Sequence, residues 1–186
     1  MEADWEFEVG GDAPAIETRW EGFVDLRLAP ERAWELPETV HFPALAAALA
    51  KLNAPRSPVW TSKCDFWPRL ESGAFDPDEM DAPSGGFAHA MGCYIDLLPR
   101  SDGQWRFPAL AEATCKQVCA VMGAVPLRSC RLDLMIRRAF IAPDRMDLGI
   151  TAYVTSCGAS PEAASCTLAA ALAAIADALS ALSTVE

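Results

Sequence analysis

The chain has only two histidines and two tyrosines, and its 15 Lys and Arg are outnumbered by 26 Asp and Glu. Each shortage excludes something. With His41 and His89 alone to serve as bases, nucleophilic catalysis of the Cys–His kind has little raw material, because the nucleophile needs a base within hydrogen-bond reach. A net charge of −11 repels phosphate backbones and anionic lipid, so neither nucleic acid nor a membrane is expected as a partner. GxSxG and GxGxxG motifs are missing, and the Gly-bearing stretch SGGFAHAMG lacks the lysine of a phosphate loop. Long apolar runs are scarce too. Only residues 163–182, with Asp177 as their single charge, approach the roughly 18 residues of a bilayer span, and their alanine content reads as a buried helix. The N-terminal MEADWEFEVGG is acidic and has no apolar h-region, so no signal peptide and a cytoplasmic location are expected.

Seven cysteines, an odd number without an export signal, read as reduced thiols lying in apolar segments as small hydrophobes. Cys115 and Cys119 share a helix face, but no second pair stands at ligand spacing, so neither a metal nor another cofactor is expected.

What is present is an ordinary folding composition, 52% hydrophobic and 22% charged, long enough for one domain spanning 1–186. The pentapeptide FPALA occurs twice, at Phe42 and at Phe107. Each copy places proline at the first position of a helix, where its missing N–H costs nothing. These helices are expected over 43–53 and 108–124, and a third from Pro161 to about Leu182 behind the N-cap Ser160. Period-two alternation predicts strands at Trp5–Val9, Trp20–Leu28, Val59–Trp67 and Phe87–Leu98, and a long hairpin of Cys130–Ile141 with Met146–Cys157 around Ala142-Pro143-Asp144. The acidic, Gly- and Pro-rich stretch 68–86 reads as a mobile loop.

Strand–helix–strand order then occurs twice, over about 20–67 and 90–137. GFVDL, the first FPALA helix and KCDFW stand against CYIDL, the second FPALA helix and RLDLM. Asp25 matches Asp96, and Asp65 matches Asp133. The expected fold is α+β: a largely antiparallel sheet in ββα-type order, with about three helices on one face and an internal duplication.

Alternation sorts the strand residues. Leu132, Leu134 and Ile136 would face the helices, as would Trp60, Cys64 and Phe66. The opposite face would carry Phe23, Asp25, Asp65, Trp67, Tyr94, Asp96, Asp133 and Tyr153. Aromatics interleaved with carboxylates on an open sheet make a platform for a small amphipathic or cationic ligand, or for a basic protein partner. Paired, solvated charges would be the plainer explanation. The last helix, with Leu168, Leu172, Ile175, Leu179 and Leu182 at 4-3-4-3 spacing and alanine elsewhere, is expected to be central to the fold or to form a homodimer interface.

In element order, the paired strand–helix–strand units resemble ferredoxin-like duplications and the duplicated effector-binding domains of some bacterial regulators. Those domains bind amphipathic, often cationic ligands between their halves. The acidic α+β character also resembles a secretion chaperone, though the usual N-terminal helix is absent. The functional expectation is a non-enzymatic binding protein. A small enzyme using a carboxylate or Cys64 in the same place and a structural or assembly protein are the alternatives.

Overall fold

The computed structural model describes residues 1–18, 20, 22–71, 73–83, 87–142 and 145–182; the side chains of residues 142 and 145 are not described. Strands β1 (Glu2–Glu8) and β2 (Ile16–Glu17) lead into helices α1 (Pro37–Val40) and α2 (Pro43–Leu52). They are followed by β3 (Val59–Trp67), β4 (His89–Pro99), α3 (Pro108–Gly123), β5 (Cys130–Ala142), β6 (Arg145–Gly158) and α4 (Pro161–Ser180). The sheet runs β1-β5-β6-β4-β3, with β2 alongside β5. β1 and β2 are parallel to β5, and every other pairing is antiparallel.

The protein is therefore α+β with a mixed, mostly antiparallel open sheet. β1 lies at an edge, so the likeness to a ferredoxin-like duplication rests on class alone. α4 lies between α2 and α3 over the middle of the sheet. Leu45, Leu49 and Leu52 of α2, Cys115 and Val118 of α3, and Leu168, Leu172, Ile175 and Leu179 of α4 form one core with Ile95, Leu132, Leu134, Ile150 and Val154. Each long helix opens with proline at its start, and Ser160 caps α4 by accepting a hydrogen bond from the Ala163 N–H at 3.2 Å.

Two expectations are corrected. No strand forms among the described residues of Trp20–Leu28. Gly22 takes a left-handed φ of 85°, the Phe23 N–H donates to the Trp20 carbonyl, and the Arg27 N–H donates to the Asp25 carboxylate at 3.0 Å. Asx-turn chemistry of this sort competes directly with a strand ladder. Second, the ladder between β3 and β4 shifts register between Thr61 and Cys64, and this irregularity parts Trp60 from Cys64 and Phe66. Trp60 then packs with Leu98, Ile16 and Ala139, away from the helices. The stretch 68–86 makes tertiary contacts within its described residues. Met80 is buried against Ala90 and Cys157, and its carbonyl accepts from the Ser129 N–H at 2.8 Å. Ser84-Gly85-Gly86 and the hairpin tip at Pro143-Asp144 lie outside the described residues.

With 20–28 out of the sheet, the unit that occurs twice is helix–hairpin, α2-β3-β4 and α3-β5-β6, and FPALA opens the helix of each. The hairpins meet at the β4–β6 pair, where Tyr94 faces Tyr153. Asp65 pairs with Tyr94, and Asp133 with Tyr153. A two-fold rotation between the tyrosines thus brings Lys63, Asp65 and Tyr94 onto Arg131, Asp133 and Tyr153.

Candidate functional site

Register alone builds the candidate site on the face that the helices leave open. Asp65, Tyr94, Tyr153, Asp133 and Asp4 are successive partners across all five strands of the main order. Directly opposed residues on one face have Cβ atoms about 5 Å apart, so the row is continuous. Trp67 extends it: its ring lies 5.8 Å from that of Tyr94, which lies 5.9 Å from that of Tyr153. All three rings are half-buried, and the Arg137 guanidinium lies 5.5 Å from the Tyr153 ring centre. Gly92 keeps the space beside Trp67 clear, since a Cβ there would sit 3.3 Å from its ring and 3.3 Å from Leu70.

Below the row lies a polar network. Asp96 is buried, and its carboxylate accepts a hydrogen bond from Thr151 Oγ1 at 2.6 Å. Arg137 donates to Thr151 Oγ1 and to the Tyr153 hydroxyl, each at 3.1 Å, and forms an ion pair with Glu8. Burial pushes the Asp96 carboxyl above its ordinary range, opposed by the Thr151 hydrogen bond and by the Arg137 and Lys63 charges. The Tyr94 hydroxyl is pushed up to about 12 by burial first, then by Asp96 and Asp65.

Of the eight residues selected from the sequence, Asp65, Trp67, Tyr94, Asp96, Asp133 and Tyr153 share this face. Asp25 does not join them, whereas Phe23 lines a cleft together with Asp65 and Tyr94. Phe23 packs against Trp20 at 4.8 Å, beside the small Trp60 cluster. Asp25 is closed by a two-point hydrogen bond from Arg27, whose guanidinium covers the Trp60 ring at 3.9 Å. That guanidinium holds the Asp25 carboxyl below its usual range. Asp25 and Asp96, matched by sequence, thus occupy unrelated environments.

Thr151, Arg137, Glu8 and Asp4 were not selected from the sequence as site residues. The Trp–Glu–Phe–Glu alternation of β1 shows a half-exposed strand, but nothing in it says that the strand lies parallel to β5. Lys63 and Arg131 flank the row at related positions. Lys63 is held by Glu17 at 3.3 Å, while Arg131 bridges Asp133 at 2.8 Å and Glu79 at 3.0 Å.

The nucleophilic alternative finds a poor setting. Cys64 pairs with Ile95 whereas His89 opens β4, so roughly 20 Å of strand separates them. Burial, then Glu38 and Asp65, pushes the Cys64 thiol up to about 12, the reverse of an activated thiolate. Cys115 is buried in the core, and no cluster of three or more metal-ligating side chains occurs among the described residues. Comparison with family models, with curated proteins and with solved structures yields no match to this chain.

Proposed function

We propose that this chain is a cytoplasmic, non-catalytic binding protein whose open sheet face takes a ligand carrying a positive charge beside an apolar body. The observation that carries the reading is the unbroken row Asp65–Tyr94–Tyr153–Asp133 with Trp67 at its end. Three half-buried rings in contact offer an apolar and cation-attracting floor, and Asp65, which has no ion pair among the described residues, sets the sign of the charge they accept. The −11 net charge adds a long-range field of the same sign preference. A small organic cation and a basic side chain of a protein partner present the same chemistry to this row.

The test substitutes Trp67→Ala together with Asp65→Asn and measures binding of phenethylammonium and of a Lys- and Phe-containing peptide by calorimetry. Wild-type protein binds at least one of them. The double variant loses at least about tenfold in affinity, as expected for about 1.4 kcal/mol of stacking and charge interaction, while its far-UV spectrum is unchanged. Unchanged affinity in a folded double variant would sink the proposal.

A further inference from the structure

β3, at one edge of the sheet, borders a cleft of about 570 Å³. One wall is β3 itself from Thr61 to Asp65, with Tyr94 beside it. The other wall comes from the irregular segment after residue 20 and from the approach to α1, where Phe23, Val24, Leu26, Leu36 and Glu38 line it. The size falls among small-molecule sites, which run to about 300–1,000 Å³ and are mostly apolar with a few convergent polar groups.

The charges on this cleft are unevenly satisfied. Arg32 is spent on Glu35 at 3.1 Å, and Lys63 on Glu17 at 3.3 Å. Glu38 and Asp65, both half-buried, have no ion pair among the described residues. Both carboxylates line this one cleft, with Cys64 between them in the lining. The cleft also already tolerates an ammonium on an aromatic ring, since Lys63 Nζ stands 5.1 Å from the Trp20 ring centre.

We infer that the ligand is a monovalent organic cation of the aryl- or alkylammonium type, its hydrocarbon body seated in this cleft against Val24, Leu26 and Leu36 and its nitrogen held by Glu38 and Asp65. Two carboxylates without counter-charge beside an apolar wall select a cation that brings hydrocarbon with it. A small inorganic ion would leave the wall wet, and a neutral hydrocarbon would leave the carboxylates unpaired. The inference rests on the sheet-face reading, with which it shares Asp65 and Tyr94. It narrows that reading from any cationic amphiphile to one of this size and adds Glu38, Val24 and Leu36 to the site.

The experiment titrates wild-type protein with phenethylammonium, with 2-phenylethanol as the same body without charge, and with methylammonium as the charge without the body. Phenethylammonium is expected to bind at least about tenfold more tightly than either. Glu38→Gln, a change at a half-buried side chain that leaves the core alone, is expected to weaken phenethylammonium about fivefold, the size of one partly exposed ion pair. Val24→Trp fills the cleft and is expected to abolish binding; Glu38→Gln keeps the test decisive if that variant fails to fold. Unchanged affinity in Glu38→Gln, or equal binding of 2-phenylethanol, overturns the inference. Loss of binding in Trp67→Ala with Asp133→Asn while Glu38→Gln binds normally would overturn it and leave the sheet-face reading standing. No binding of phenethylammonium by wild-type protein overturns the ligand class.

Discussion

Asp96 is 6% exposed, and the one hydrogen bond its side chain receives from the described residues comes from Thr151. Burial raises its carboxyl pKa above the ordinary carboxylate range, so the folded state prefers the neutral acid more than the unfolded chain does. The stability this group contributes is thus fully present below the ordinary carboxylate range and is lost as pH rises through the folded pKa. Asp96→Asn, neutral at every pH and still able to accept from Thr151, should melt higher than wild type at pH 7. The gain should shrink as the pH is lowered through the carboxylate range. A lower melting temperature for the variant at pH 7 would mean that attraction to Arg137 and Lys63 outweighs burial. At this scale the sequence is legible where parity rules. Asp65, Trp67, Tyr94, Asp133 and Tyr153 lie on regular strands, and a period of two puts them on one face. Asp25 was misplaced because its carboxylate satisfies its own neighbours' N–H groups and turns the chain. Thr151 carried no signal, since its role depends on standing opposite Asp96 across two strands distant in sequence.

Elements were legible where local chemistry and tertiary packing agree. Proline at the start of three helices, the Ser160 cap and the alternation of β5 and β6 are all local devices, and each element forms where they stand. The β3 irregularity had no such signature, because it answers to packing of Trp60 beneath Ile16 and Leu98. The same contact explains Gly149. A Cβ there would come within 2.7 Å of Ile16 Cδ1 and 3.0 Å of the Leu97 carbonyl, so the Ile16 side chain of β2 fits only against a glycine. Gly149→Ala should therefore destabilise the protein by about 1–3 kcal/mol, the usual cost of overpacking, measurable by urea denaturation. An effect below about 0.5 kcal/mol would show that β2 can shift aside, and that it does not hold this end of the sheet in place.

For the whole molecule, α4 has the length and apolarity that a membrane span requires, yet its Leu168–Leu172–Ile175–Leu179 stripe is buried between α2, α3 and the sheet. The seam that from sequence could equally have been a subunit interface is used inside the chain's own core. Truncation after Ser160 should consequently leave a chain with no cooperative thermal transition, because the centre of the core is bared rather than an edge. A truncated protein that melts cooperatively would show that α4 is peripheral. The helix–hairpin repeat also belongs to this scale. FPALA opens the helix each time the order helix–strand–strand occurs, but which strands form each hairpin follows from pairing, and pairing between distant segments leaves no trace in a single chain.

The central claim, that the helix-free face binds a cationic amphiphile, is tested most directly by following backbone amide and tyrosine ring NMR signals while phenethylammonium is added. Saturable shifts concentrated at Asp65, Trp67, Tyr94 and Tyr153, spreading to Glu38 and Val24 along the β3 edge, are the predicted result. Shifts confined to the helical layer, or none up to millimolar ligand, would contradict the account.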